Sequence, residues 1–177
     1  MPPNGLENMK LRKLLLPISV SFLVGIASAS AGDRLSRSKI PTDLVQWLIK
    51  DIDKKPPMLD AEELEDLNKN LKCKLYDLNG DGGPEYLLYI DSTGWCGAGG
   101  FCCNYWVVQR TSKGYRLLLE DVEIRVKDSV TKGYRDLTSE FVIGYTSGGW
   151  AREIRITEYK FDGKRYGAGR KYSVFRR

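Results

Sequence analysis

The chain of 177 residues contains no histidine, and this absence removes most of the common catalytic machinery. Without an imidazole there is no Ser-His-Asp or Cys-His nucleophile, no histidine-bound catalytic zinc and no histidine acid–base step. Carboxylate pairs of the kind that glycosidases use remain open, because Asp and Glu together number 23. The composition therefore favours a non-catalytic protein over an enzyme.

Long apolar runs are also absent, apart from one near the start. Residues 14–26 are apolar with a few interruptions, follow three cations at residues 10–13, and precede the small-x-small pattern of residues 29–31. The run is too short and too broken for a comfortable membrane span. We therefore expect residues 1–31 to be a cleaved signal peptide. Residues 32–177 should form one periplasmic or secreted domain without a stable membrane span.

Cysteine is scarce, with only Cys73, Cys96, Cys102 and Cys103. An even number in an exported chain favours disulfides, for which three pairings exist. Because adjacent residues of a strand point to opposite faces, Cys102 and Cys103 should take different partners. We favour Cys96–Cys102 and Cys73–Cys103. Zinc is the alternative, but histidine is missing and the spacings fit neither a zinc ribbon nor a finger.

Charge is unevenly distributed along the expected mature chain. Residues 33–91 hold 9 Lys/Arg against 13 Asp/Glu, whereas residues 92–177 hold 16 against 9. The acidic half suits a cation site, and the basic half could meet an anionic surface or an acidic protein, although cations that solvate a sheet give the same pattern. No basic helix or RNP-like strand occurs, so nucleic acid is not an expected partner.

Two amphipathic helices are predicted before the first long strand. Pro41-Thr42-Asp43 opens the first, and apolar residues recur at helical spacing as far as Ile52. The second begins at Asp60, which forms a capping-box pattern with Glu63. Both helices need a surface to pack against, because each has one apolar face.

From Leu71 the apolar period changes to two, which is typical of half-buried strands. The Asp162-Gly163 pair between β-rich runs predicts a hairpin. The expected fold class is α+β, with two N-terminal helices packed on an antiparallel β-meander of about 6–8 strands. After the strand that starts at residue 71, the candidate strands are residues 85–91, 103–110, 115–120, 122–127, 140–145, 153–161 and 172–176.

An acidic loop, residues 77–85, separates the first two of these strands. Oxygen-bearing side chains stand at alternate positions, Asp77, Asn79 and Asp81, and Glu85 ends the loop. Such spacing places oxygens around a hard cation, and calcium accepts many oxygens in flexible geometry. The simpler interpretation is a tight turn between strands, where Asp, Asn and Gly are also favoured.

The spacing D-x-N-x-D-G-x-x-E resembles the calcium loops of FG-GAP/VCBS-type repeats and, more distantly, of dockerins. The resemblance covers residues 77–85 alone, and a single loop argues against a propeller of many blades. An EF-hand is excluded, because Leu88 stands at the twelfth position, where an EF-hand has a bidentate Glu. The resemblance implies one calcium ion with ligands from Asp77, Asn79, Asp81, Glu85 and the Gly83 carbonyl.

Two stretches rich in small residues and flanked by aromatics, residues 94–102 and 144–150, are candidate partner-binding loops. A strand rather than a helix follows the first, which excludes a phosphate-cradling dinucleotide loop. The ordinary interpretation is a pair of braced loops whose aromatics join the sheet core. If both loops lie at the same end of the sheet, their aromatic side chains would instead form one patch that a partner could contact. The candidate contact residues are Trp95, Gly97, Gly99, Gly100, Phe101, Tyr145 and Trp150.

Two functions of different classes remain. The first is an exported, non-catalytic binding or inhibitory module with one calcium loop and disulfide-braced loops. Its partner would be an envelope or extracellular protein, or a glycan, of unknown identity. The alternative is a carbohydrate-active hydrolase that uses two carboxylates. Sequence spacing cannot identify such a pair, because its members meet only in the fold.

Overall fold

The structure, a computed structural model, describes residues 33–35, 39–52, 54, 59–92, 96, 103–146, 149 and 151–177. The expected signal peptide lies outside these ranges. The described residues form helices and antiparallel strands, which confirms the α+β class. The helices are α1, Thr42–Ile52, and α2, Ala61–Asn70. The strands are β1, Asp33–Leu35; β2, Leu71–Tyr76; β3, Glu85–Ile90; β4, Asn104–Thr111; β5, Gly114–Val122; β6, Arg125–Thr131; β7, Tyr134–Tyr145; β8, Arg152–Phe161; and β9, Tyr166–Arg176.

The predicted capping box at the start of α2 is present. Asp60 Oδ1 accepts a hydrogen bond from the Glu63 amide at 2.8 Å, and Glu63 Oε2 accepts one from the Asp60 amide at 3.0 Å. Two amide donors that the helix itself leaves without acceptors are thereby satisfied. The local sequence alone therefore positions the first turn of α2.

The strands divide into two sheets instead of one continuous meander. The first sheet has the order β1-β2-β3-β4-β5 and the second has the order β6-β7-β8-β9. All pairings are antiparallel between consecutive strands. The chain changes sheet after β5 at Glu123, which has a positive φ of 40° and whose amide donates to the Cys103 carbonyl at 3.2 Å. This left-handed residue redirects the chain between the two sheets.

Both faces of β3 are covered, and all six of its residues are buried. Leu88 belongs to a cluster that includes side chains of α1 and α2, whereas Leu87 belongs to a cluster that includes side chains of β7 and β8. Neighbouring residues of a strand face opposite ways, so a strand buried on both sides shows a continuous apolar run. The sequence Tyr-Leu-Leu-Tyr-Ile that follows Glu85 has this character.

Two strands begin six residues earlier than predicted. β7 begins at Tyr134 and not at residue 140, after a Lys132-Gly133 turn in which both residues have positive φ. β9 begins at Tyr166 and not at residue 172, although Gly167, Ala168 and Gly169 are poor strand formers. The Asp162-Gly163 hairpin, correctly predicted, brings these small residues beside β8, so that pairing overrides propensity.

Candidate functional site

The acidic loop is ordered by its own side chains. Asp77 accepts hydrogen bonds from the amides of Gly80 and Gly82, at 2.7 and 3.1 Å. Asp81 Oδ1 accepts one from the Gly83 amide at 2.6 Å. Gly80 and Gly82 have φ of 71° and 83°, a backbone conformation that favours glycine. The Asp-x-Asn-x-Asp-Gly pattern therefore forms a compact turn with its acidic side chains folded back onto the main chain.

Asn79, the third polar side chain of the loop, contacts both its neighbour and the second sheet. Its Oδ1 accepts from the Asp81 amide at 3.0 Å, and its Nδ2 donates to Asp81 Oδ2 at 2.8 Å. The same Nδ2 lies 3.3 Å from the Tyr134 hydroxyl at the start of β7. Asn79 thus connects the loop to the four-stranded sheet.

Glu85 differs from the other acids of the loop because it is only 2% exposed. Its Oε2 accepts from the Leu78 amide at 2.9 Å, and its Oε1 accepts from Gln109 Nε2 at 3.0 Å. Burial raises the pKa of Glu85, the two hydrogen bonds oppose this effect, and the negative charges of Asp81 and Asp77 raise the pKa further. Glu85 is consequently a buried carboxylate within electrostatic range of two others.

Gln109 and Tyr134 extend this arrangement from one sheet to the other. Gln109 Nε2 also donates to the Tyr134 hydroxyl at 2.7 Å, and Arg116 donates to Gln109 Oε1 at 2.5 Å. The Arg135 amide donates to the Leu78 carbonyl at 2.7 Å. Sequence reasoning missed Gln109 and Tyr134. The one available signal was a polar Gln beside the apolar run of β4, and that signal does not identify its partner.

The donor chemistry of the loop fits a hard cation. Asp77, Asp81 and Glu85 offer carboxylate oxygens, and an oxygen that accepts one hydrogen bond retains acceptor capacity. Within the part of the chain that the structure describes, none of these three carboxylates has a Lys or Arg ion-pair partner. The described residues also contain no group of three or more His, Cys, Asp or Glu side chains already placed to hold a metal ion. The loop acids are directed instead toward amides.

A cavity of about 230 Å³ opens beside the loop and is lined in part by Asp81, Glu85, Gln109 and Arg110. A second cavity, of about 410 Å³, lies where the five-stranded sheet meets β6, and Lys74, Tyr105 and Arg125 contribute to its wall. The first cavity places two carboxylates of the loop at one opening.

The predicted disulfide pairing is wrong, because Cys96 bonds to Cys103. Cys73 is a free, fully buried thiol, and burial raises its pKa to about 12. The strand register explains the correction: Cys73 lies opposite Leu88, which lies opposite Trp106 on β4. Cys103 stands three residues before Trp106, which places it roughly 10 Å from Trp106 along the direction of the strand. It is also two strand spacings from Cys73, because β3 lies between β2 and β4. That distance exceeds the reach of a disulfide. Cys102 lies outside the described residues.

Most of the predicted partner-binding residues, namely Trp95, Gly97, Gly99, Gly100, Phe101 and Trp150, lie outside the described residues. Tyr145, the remaining one, ends β7 and is 59% exposed. The Thr146 amide donates to the Ala151 carbonyl at 2.9 Å, which closes the connection to β8. The structure therefore presents one aromatic of the expected patch to solvent.

No protein-family model, curated protein or solved structure matches the chain. Neither helix within the described ranges is long and apolar enough to cross a bilayer.

Proposed function

We propose that the protein is an exported, periplasmic or secreted, non-catalytic binding or inhibitory module whose acidic loop binds one calcium ion. The observation that supports the calcium site is the grouping of Asp77, Asp81 and Glu85 on one turn, where no Lys or Arg of the described residues forms an ion pair with them. Their mutual repulsion disfavours the folded loop, and a divalent cation would relieve it. The resemblance to FG-GAP/VCBS-type loops points to the same ligands, with Asn79 and the Gly83 carbonyl completing the set.

Calcium would stabilise the connection between the two sheets as well as the loop. Glu85 is hydrogen-bonded to Gln109, and both Gln109 and Asn79 contact the Tyr134 hydroxyl. An ion that holds Glu85 and Asn79 would therefore restrain the β2–β3 turn against β7. A site with three carboxylates and no bidentate twelfth-position Glu should bind weakly, with Kd on the order of 10⁻⁴–10⁻³ M, which is the range of extracellular modules.

The partner would contact the aromatic side chains of the two candidate loops, residues 94–102 and 144–150. One of these side chains, Tyr145, is exposed. An exposed Tyr combines apolar area with a hydroxyl and is enriched in protein contacts. An envelope or extracellular protein, or a glycan, remains the class of partner that we propose. In this role the disulfide Cys96–Cys103 braces the base of the first loop.

Thermal unfolding of the protein in chelator, millimolar magnesium and millimolar calcium tests the metal site. Calcium at a hundredfold above Kd, which is about 10–100 mM for the affinity expected here, should add about 2.7 kcal/mol to the free energy of unfolding. Millimolar calcium should add correspondingly less, and magnesium much less than calcium at the same concentration. Asp81→Asn should remove most of the calcium effect, whereas Asp91→Asn, an exposed acid at the other end of β3, should leave it unchanged. Absence of a calcium-dependent shift, together with no heat in titration calorimetry, would show that the loop is only a turn.

One observation supports the hydrolase alternative. Asp81 and the buried Glu85 line the same cavity, and a carboxyl group with a raised pKa is the form that a general acid needs. Glu85→Gln would then abolish release of reducing sugar from a glycan substrate while leaving its binding intact. We rank this function second, because both Glu85 oxygens already accept hydrogen bonds from the protein.

A further inference from the structure

β9 forms an open edge of the four-stranded sheet. It pairs with β8 along its length, from Phe161↔Tyr166 to Arg152↔Arg176, and within the described ranges it has no strand on its other side. Its 11 residues span roughly 36 Å, which makes it the longest terminal strand of either sheet. A terminal strand presents a row of unpaired backbone N–H and C=O groups that another extended chain can use.

The charge of this edge has one sign. Residues 163–177 contain six Lys/Arg and no Asp or Glu. Arg170 and Lys171 stand in the middle of β9, are exposed, and point to opposite faces because they are adjacent. Arg176 is already bound to the buried Glu140, at 2.6 and 2.9 Å, so it does not contribute a free cation.

Little side-chain bulk blocks the first half of the edge. Gly167, Ala168 and Gly169 are exposed and carry at most one methyl group. Near the other end, Phe175 is 66% exposed and lies on the same face as Lys171 and Ser173. A pairing chain would thus meet open backbone, cations on both faces, and one apolar contact.

We propose that β9 binds an extended acidic peptide segment of another protein, which adds to the four-stranded sheet as an antiparallel or parallel fifth strand. Backbone hydrogen bonds would supply affinity, and Arg170 and Lys171 would select acidic side chains. A second copy of the same chain fits poorly, because pairing β9 with β9 brings Arg170 and Lys171 of both copies together. The proposal rests on the backbone edge and the charge of β9, so it does not depend on the function proposed above.

The first test measures binding of synthetic peptides by fluorescence anisotropy. The probe is a peptide of about ten residues in which Glu and Val alternate, so that acids line one face and apolar groups the other. A Lys-Val peptide tests whether binding requires acidic side chains. A Glu-Val peptide with central prolines keeps the negative charge but cannot complete the backbone hydrogen bonds to β9. The proposal expects binding of the first peptide and at least a roughly tenfold loss for each of the others. Equal binding of the proline-containing peptide would mean charge attraction alone and overturn the proposal.

Charge reversal locates the site. Arg170→Glu with Lys171→Glu should lower affinity for the Glu-Val peptide at least about tenfold and create binding of the Lys-Val peptide. The matched control is Lys69→Glu with Lys113→Glu, which changes the net charge equally at exposed positions on α2 and in the β4–β5 turn. If control and test variants lose affinity equally, the effect is one of net charge and the proposed site is wrong.

Proline substitution tests the backbone pairing directly. Successive residues of an antiparallel strand direct their N–H groups to alternate sides, so only one of Ser173 and Val174 directs its N–H toward β8. One of Ser173→Pro and Val174→Pro should therefore destabilise the sheet, and the other should keep the melting temperature and lose peptide binding. Wild-type affinity in the stable variant, or a β9-dependent dimer in light scattering, would overturn the proposal in favour of another site or of self-association.

Discussion

We expect the hydrogen bond from Gln109 to Glu85 to be one of the most stabilising polar contacts between the acidic loop and the sheets. Glu85 is 2% exposed, and its Oε1 accepts from Gln109 Nε2 at 3.0 Å. Gln109→Leu replaces the amide with an apolar group of similar size and leaves the Leu78 amide as the remaining hydrogen-bond donor to Glu85 identified in the described residues. The variant also removes the donor to the Tyr134 hydroxyl and the acceptor of the hydrogen bond from Arg116.

The expected cost follows from the charge of Glu85. A hydrogen bond to an ionised group contributes about 1.5–3 kcal/mol, so we expect a loss of about 2 kcal/mol at neutral pH. For a domain of this size that corresponds to a fall of roughly 4–8 °C in Tm. Gln46→Leu makes the same replacement on the exposed face of α1 and should change stability by less than about 0.5 kcal/mol.

The pH dependence of the stability loss distinguishes two causes, the charge of Glu85 and poor packing of the new leucine side chain. The lost hydrogen bond raises the pKa of Glu85 above its already raised wild-type value. A raised pKa in the folded state means that stability is lost as pH rises through that pKa, so the cost should be full at neutral pH. The cost should shrink as pH falls from neutral through the raised pKa, because Glu85 then becomes protonated in both proteins.

Denaturant unfolding of wild type and Gln109→Leu in calcium-free buffer across this pH range measures the effect. A second background, Glu85→Gln, removes the charge, and there the cost of Gln109→Leu should be reduced. A cost that is the same at every pH and in both backgrounds would refute the assignment of the effect to the Glu85 charge.

Two further predictions follow from buried and capping groups. In a Cys102→Ser background, the Cys73 thiol, fully buried with a pKa raised to about 12 by burial, should not react with Ellman's reagent at pH 8 until the protein unfolds. Rapid labelling of that variant in its native state would contradict the position of Cys73. Asp60→Ala should remove the cap of α2 and cost about 1 kcal/mol in denaturant unfolding, whereas Glu65→Ala, at an exposed position within α2, should cost less than half of that. Equal costs for the two would show that the cap contributes nothing specific.

Much of the local structure could be predicted from the sequence, because its causes lie within a few residues. Asp60 and Glu63 define the start of α2, and Asp162-Gly163 defines the β8–β9 hairpin. The α+β class follows from the change of apolar period near Leu71. The polar turn of residues 77–85 was also visible, because alternate Asp and Asn side chains bond to amides two to five residues away.

Contacts between distant residues required the tertiary structure. A period of two shows that a residue lies on one face of a strand, but it does not show which strand lies opposite. The register that places Leu88 opposite Cys73 on one side and opposite Trp106 on the other decided which cysteines could pair. The same dependence on register brings Gln109 to Glu85 and to Tyr134, 24 and 25 residues away along the chain. The local pattern determined that Glu85 ends a turn, and only the packing of the two sheets decided that its carboxylate is buried.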